Sequence, residues 1–427
     1  MSLDQEQTLE ASYMMQTFAR LDVEFTRGEG MSLEGDDGRR YLDFLAGIGV
    51  CCLGYAHPAL TAAIEAQAHR LLHVSNFFFI EHRGEVAAML SKLANGDALG
   101  ARALARAIKS QDGEAVAAAS APRAGEQIWQ TFFANSGAEA NETSMKLARL
   151  FARRKGNKGN TIICLRGSFH GRTHETLAAT MQDHLQEPFK PLPDGFIACE
   201  PNSIEQLQAI FGEQGSEICA VMVEAIQGES GVHPLTQDFM RAARDLVHSH
   251  GGLLISDEVQ TGLFRTGAPF ASHLFGIHPD IMSLAKGIAG GVPMGACVAR
   301  REVAEAFEPG DHGSTFGGSP LSVAAAEAVL SELVVGRFGE RVSEVGAYMA
   351  EQLAALSHVV EVRGAGLMIG CDIDEASGDA RDVVARALEA GFVLSATGPR
   401  TLRFLPPLIC TKTDVGALVA GLADVLG

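Results

Sequence analysis

The chain has 427 residues, of which 47% are hydrophobic and 20% charged, with a formal net charge of −18. That length suits roughly two or three domains around a large core, and the composition excludes a disordered or fibrous chain. The acidic balance excludes a nucleic-acid surface or an anionic-membrane surface, both of which would repel the protein, and leaves small-molecule chemistry as the expectation.

The opening stretch MSLDQEQTLEASYMM has no cationic region followed by an apolar one. No apolar run reaches the roughly 18 residues of a membrane span, so a cytoplasmic protein is expected. Residues 57–72 (HPALTAAIEAQAHRLL) carry helical periodicity, whereas residues 94–127 are alanine-rich and weakly patterned. The latter read as a surface excursion without assigned chemistry. Beyond them, helical segments such as AEANETSMKLARLFARR alternate with short apolar runs: QIWQTFFA, TIICLRG, AVMVEAI, LLISDEV, DIMSLAK and MGACVAR. Alternation of this kind predicts an α/β domain with a mostly parallel, buried central sheet. After about residue 310 the pattern changes to a long helix, then VVEVRGAGLMIGCDID, a helix at ARDVVARALEAG, and RTLRFLPPL, which predicts a smaller α+β domain. The expected division is an N-terminal segment 1–58, a large domain 59–311 and a C-terminal domain 312–427. The eight cysteines are scattered without zinc spacing and read as reduced core residues; the adjacent Cys51 and Cys52 are poorly placed to bond each other.

In an open α/β sheet, ligands gather beyond the carboxyl ends of the strands, so polar groups there are placed to act on a ligand. The predicted strands end in Asp257, Glu258 and Gln260; in Glu224, Gln227 and Glu229; in Phe169, His170 and Arg172; and in Lys286. Lys286 is the one charged residue after the opening aspartate in DIMSLAKGIAGGVPMGACVA. An ammonium taken out of water is costly unless paired, neutralised or covalently used. TFFANSGAEANE passes from strand through Ser136 and Gly137 into a helix, which leaves free N–H groups at that rim to cradle a phosphate or to be capped by Ser136. A neutral lysine that condenses with an aldehyde, an aspartate for a protonated ring nitrogen, an aromatic ring for stacking and a helix start for a phosphate together suit pyridoxal 5′-phosphate (PLP).

The segments NSGAEANE, SFHGRT, VEAIQGESG, DEVQTGLFRTG, HPDIMSLAKGIAGGVPMGA and HGSTFGGSPL resemble, in order and spacing, the class III aminotransferases of PLP fold type I. The likeness runs from about Tyr13 to the C-terminus apart from the alanine-rich stretch. YLDFLAGIGVCCLGYAHP, HVSNFFFIEH and LRFLPPL are most similar to the acetylornithine aminotransferase group. The resemblance implies a small domain built from N- and C-terminal segments, and a homodimer with shared active sites. It implies that Lys286 holds the cofactor and then serves as the base, while Asp257 keeps the ring nitrogen protonated beside His170. Val259 and Phe169 would sandwich the ring and Gln260 would reach its phenolic oxygen. Ser136, Gly137 and Ala138 would hold the phosphate, with Ser314 and Thr315 reaching the phosphate of the neighbouring subunit. Arg172 would bind a substrate carboxylate, and Glu229 would mask Arg403 for an ω-amino donor and release it for 2-oxoglutarate. The implied reaction converts N2-acetyl-L-ornithine and 2-oxoglutarate to N-acetyl-L-glutamate 5-semialdehyde and L-glutamate, without metal, nucleic acid or membrane.

Phe18, Ser319 and His174 depart from the group's usual residues and leave the preferred amine open among acetylornithine, succinylornithine, succinyl-diaminopimelate, ornithine and a lysine derivative. A PLP-binding regulatory protein without turnover is disfavoured by the presence of Asp257, Arg172, Glu229 and Arg403. A metal hydrolase using the Asp, Glu and His residues as ligands is disfavoured further: the pair His170 and His174 has no nearby carboxylate ligand in sequence.

Overall fold

A computed structural model describes residues 3–157 and 159–427. Seven strands build its central sheet: β1 (Trp129–Ala134), β2 (Thr161–Leu165), β3 (Phe196–Cys199), β4 (Ile218–Val223), β5 (Leu253–Asp257), β6 (Ile281–Leu284) and β7 (Gly295–Arg300). Their order is β1-β7-β6-β5-β4-β2-β3. Pairing is parallel from β6 through β5, β4 and β2 to β3, and β7 runs antiparallel to both its neighbours. Strands β4, β5 and β6 are buried at every position, which explains why they read as uninterrupted apolar runs. The edge strand β3, half-buried over Phe196–Ala198, has no such run and is not among the predicted strands.

Helices cover both faces. On one, Met145, Leu147 and Ala148 of helix Gly137–Arg154 pack on Ile162, Met222 and Ile255; on the other, helices Ile204–Gln214 and Gln237–Ser249 pack on Ile163, Val221 and Leu254. Every crossover therefore returns the chain to the same sheet end, and the strand-end residues face one rim.

Strands Phe25–Glu29, Ser32–Gly35 and Arg40–Asp43 form a meander to which Phe392–Val393 adds in parallel, so N- and C-terminal segments share one small sheet. A second sheet contains β8 (Val359–Ala365), β9 (Met368–Ile373), β10 (Ser395–Thr397) and β11 (Thr401–Phe404) in the antiparallel order β8-β9-β11-β10. Arg265 ties this unit to the loop after β5: buried, it donates to the carbonyls of Leu367, between β8 and β9, and Pro406, just past β11.

The alanine-rich stretch differs from the expectation. Asp97 caps helix Ala98–Ser110 by accepting from Gly100 N–H at 2.8 Å, and Ala101, Leu104, Ala105 and Ile108 form a buried stripe in the same core as Leu330 and Val334 of helix Pro320–Val335. The buried face of Ala98–Ser110 is mostly glycine and alanine, with Leu104 and Ile108 its only large apolar side chains, so the stretch lacks the bulky apolar residues by which a core helix is read. Within this stretch the following helix, Gly113–Ser120, has no buried residue and fits the expected surface excursion. Seven of the eight cysteines are buried, Cys51 is half-buried, and all are free. Among the described residues no helix is long and apolar enough to cross a membrane.

Candidate active site

The carboxyl ends of β1, β2, β4, β5 and β6 open on one cavity of about 410 Å³. Its lining includes Ser136, Gly137, Ala138, Phe169, His170, Arg172, Glu229, Asp257, Val259, Gln260 and Lys286. These strand-end residues therefore meet in space.

At the end of β1, Ser136 is extended and its hydroxyl accepts from Glu139 N–H at 3.2 Å, which satisfies one free donor of helix Gly137–Arg154. The N–H groups of the first turn at Gly137 and Ala138 lie at the cavity, where a helix start favours an anion. Gly137 is required by close approach: a Cβ there would lie 2.8 Å from Val259 Cγ1. Both readings of Ser136-Gly137, cap and cradle, thus coexist.

Asp257 ends β5 as a buried carboxylate that accepts three hydrogen bonds and keeps acceptor capacity on Oδ1. Its Oδ2 accepts from Asn141 Nδ2 and His170 Nδ1, each at 2.8 Å, and Oδ1 accepts from Val259 N–H at 3.0 Å. Burial pushes Asp257 upward, but the hydrogen bonds and charge of His170, with those of Val259 and Asn141, outweigh it and hold the carboxyl below its ordinary range. Burial likewise opposes the charged form of His170, and its bond to Asp257 reverses the sign, so the imidazolium is favoured.

Lys286 follows β6 with φ at +45°, a left-handed conformation that costs a non-glycine residue of order 1–3 kcal/mol and recurs at functional sites. Its side chain enters the cavity. Removal from bulk water pushes the ammonium below its ordinary value, and the nearby carboxylates of Glu229, Asp257 and Glu224 only partly restore it.

Phe169 forms a half-buried wall, with the Arg172 guanidinium 5.4 Å from its ring centroid and exposed at the mouth. On the opposite side Arg403 of β11 donates from Nη1 to Glu229 Oε1 at 2.6 Å and to the Gly228 carbonyl at 3.2 Å. Arg403 pulls Glu229 below the carboxylate range against the upward effect of burial. Gln260 Nε2 donates to the same Glu229 oxygen at 3.1 Å, while Gln260 Oε1 is buried without a partner. Ser314 and Thr315 lie outside the cavity: Ser314 Oγ accepts from Asn135 Nδ2 at 3.0 Å, and Thr315 is exposed. His170 is buried and His174 exposed at a helix start.

Asn141 escaped the sequence reading, whereas Glu224 and Glu258 were read as strand-end groups without a stated role. Asn141 is a polar residue on the buried side of its helix, and it bonds both Asp257 and the His170 carbonyl. Glu224 accepts from Phe169 N–H at 2.8 Å and is pushed by burial to about 7, with His170 opposing and Asp257 adding to the rise. Glu258, also buried, accepts from Ala271 and Ser272 N–H, each at 2.9 Å, and from Ser256 and Thr261, which fixes the loop that carries Asp257, Val259 and Gln260. The signal for Glu224 and Glu258 was a charged residue directly after a buried strand, whereas Asn141 stands among the polar residues of GAEANETS and gives none.

Residues 13–426 match the family model of aminotransferase class III. The acetylornithine aminotransferase of Caldanaerobacter subterraneus subsp. tengcongensis is 42% identical over 424 residues, covering 98% of each chain. Among solved structures, the ornithine aminotransferase of Toxoplasma gondii, whose active site holds PLP at partial occupancy, superposes with a TM-score of 0.86 at 28% identity, covering 100% of this chain and 94% of that one. The N-acetylornithine aminotransferase of Stenotrophomonas maltophilia K279a does so with a TM-score of 0.76 at 31% identity, covering 98% and 97%. With a family match over nearly its whole length and a cavity at the strand ends lined by Lys286 and Asp257, the chain belongs to the class III aminotransferases.

Proposed function

We propose that the protein transfers the ω-amino group of N2-acetyl-L-ornithine to 2-oxoglutarate, giving N-acetyl-L-glutamate 5-semialdehyde and L-glutamate as a cytoplasmic step of arginine biosynthesis. The observation that carries the catalytic part is the pairing of Lys286 and Asp257 in one cavity, the ammonium pushed toward neutrality and the carboxylate held charged. PLP, when bound, supplies an aldehyde that condenses with amines and a ring that accepts the electrons released from a carbon–hydrogen bond. The residues fit that group. Charged Asp257, braced by His170 and Asn141, suits a protonated ring nitrogen. Val259 and Phe169 offer two apolar walls, the uncapped N–H groups at Gly137 and Ala138 suit a phosphate, and the unpartnered Gln260 Oε1 marks an amide with capacity left for a ligand. Lys286 would hold the cofactor covalently, and it is the group in the cavity suited to move a proton to and from a substrate carbon.

Arg172 receives the α-carboxylate end of the amine donor in a two-pronged hydrogen bond. Glu229 neutralises Arg403 while an ω-amine, with no carboxylate beside the reacting nitrogen, occupies the site; when 2-oxoglutarate enters, its α-carboxylate replaces Glu229 on Arg403.

Support for a homodimer with shared sites comes from the surface. Phe77, Phe78, Phe79 and Phe316 are exposed, a concentration of apolar area that marks an interaction face. Asn76 joins that face to the segment carrying Ser314 and Thr315 by donating to the carbonyls of Ser314 and Gly317. Thr315 is thereby presented outward, where it reaches the phosphate of a second subunit.

L-Ornithine is a second reading, because the superposition on the Toxoplasma gondii ornithine aminotransferase has the higher TM-score although its identity is lower. Initial rates of glutamate formation from 2-oxoglutarate with N-acetyl-L-ornithine, L-ornithine and N-succinyl-L-ornithine separate the readings. The highest kcat/KM is expected for the acetylated donor; a higher value for either of the others would replace it.

A further inference from the structure

The register of the C-terminal sheet sets two residues directly beside Arg403: Ser395 on β10 and Gly370 on β9. Opposed side chains of antiparallel strands share a face and stand close enough to bond. Arg403 Nε donates to Ser395 Oγ at 3.2 Å, and the hydroxyl lies 3.5 Å from the carbonyl oxygen of Arg403 itself, as its donor. On the other side Gly370 contributes no side chain, and a Cβ there would lie 2.7 Å from the Gly231 carbonyl oxygen. The guanidinium therefore has three partners: the Glu229 carboxylate, the Gly228 carbonyl and the Ser395 hydroxyl.

They are not equivalent. The Glu229 side chain is 28% exposed and lines the cavity, whereas that of Arg403 is 4% exposed. Ser395 and the Gly228 carbonyl belong to the frame around the arginine. When Glu229 withdraws, the long arginine side chain regains rotameric freedom unless the frame holds it, and that freedom must be lost again on binding a carboxylate. A bond at Nε fixes the plane of the fork and leaves its Nη edge for the ligand.

We propose that Ser395 is a positioning residue for the keto-acid half of the reaction: it holds Arg403 by Nε so that the guanidinium stays aimed at the α-carboxylate of a five-carbon dicarboxylate after Glu229 has left. The proposal rests on the assignment of Arg403 above. It makes Ser395 a determinant of the acceptor and not of the amine donor, because Glu229 still orients Arg403 while the amine is bound.

The test uses the purified holoenzyme, with the two half-reactions followed separately by stopped-flow absorbance and the binding of glutarate, an unreactive dicarboxylate, followed by calorimetry. Ser395→Ala is expected to raise the apparent dissociation constants of 2-oxoglutarate and glutarate about tenfold, the loss of one hydrogen bond to a charged group. The constant for N-acetyl-L-ornithine should change less than about twofold, and Ser395→Thr, which keeps the hydroxyl, should restore dicarboxylate binding. Unchanged dicarboxylate constants in Ser395→Ala, or equal weakening of donor and acceptor, would overturn the proposal. Arg403→Lys in parallel separates the layers: if it weakens 2-oxoglutarate while Ser395→Ala does not, only the role of Ser395 fails, and if neither does, the assignment of Arg403 fails with it.

Discussion

Burial acts on Lys286 and Asp257 through the same loss of solvation, and their neighbours decide different outcomes. For Lys286 the surrounding carboxylates do not fully compensate, so its charged form is disfavoured; for Asp257 three hydrogen-bond donors more than compensate, so its charged form is favoured. Lys286→Ala is accordingly expected to lower kcat by at least about a hundredfold to ten-thousandfold, the range for a positioned acid–base group. Asp257→Asn should give a loss of similar size in a protein that still folds, checked by steady-state rates and far-ultraviolet circular dichroism. Normal rates in either variant would remove that residue from the chemistry. Glu224 gives a prediction in pH. Its carboxyl rises from an ordinary 4.5 to about 7, so the folded state holds this proton more tightly than the unfolded chain does. The associated stability is present below about 4.5 and is lost as pH rises through about 7, a component of about 1–3 kcal/mol. Urea unfolding of the wild type and Glu224→Gln across that window should show the falling component in the wild type and its absence in the variant.

At the scale of elements, legibility in the sequence tracked how strongly burial constrains composition. Strands β4 to β6 are covered on both faces, so only apolar residues fit them, and the first polar residues past each strand were then legible as strand-end groups. Asn141 was not, because a helix meets the cavity with one narrow stripe and its polar residue looks like any other in the sequence. Strand β10 was missed for the opposite reason: three half-buried residues, Ser395–Thr397, give no run to detect, yet their register against β11 is what brings Ser395 to Arg403. Helix Ala98–Ser110 supplies a direct check on the corrected reading. Leu104→Ala should destabilise the protein by about 2–5 kcal/mol, as a buried leucine does, whereas a surface excursion would tolerate the change within about 0.5 kcal/mol. Denaturant unfolding with an unchanged m-value distinguishes the two.

Taken as a molecule, the chain puts Lys286 and Asp257 on the rim of a buried sheet, Arg403 on a separate C-terminal sheet, and a set of exposed aromatics beside the segment that carries Thr315. The first two are joined within one chain by Arg265 and by the pair of Glu229 with Arg403. In the proposed homodimer a second copy covers the third. Phe78→Asp is therefore expected to shift sedimentation from twice the chain mass toward the monomer and to weaken PLP retention together with it; a dimer that persists with full retention would contradict the shared-site arrangement. The most direct test of the central claim is the near-ultraviolet and visible spectrum of the purified protein before and after separate additions of N-acetyl-L-ornithine, L-ornithine and N-succinyl-L-ornithine. A bound-cofactor band that depends on Lys286 is expected, bleached fastest by N-acetyl-L-ornithine and restored by 2-oxoglutarate. A protein that shows no such band even after addition of PLP, or a band that none of the three amines alters, would contradict that claim.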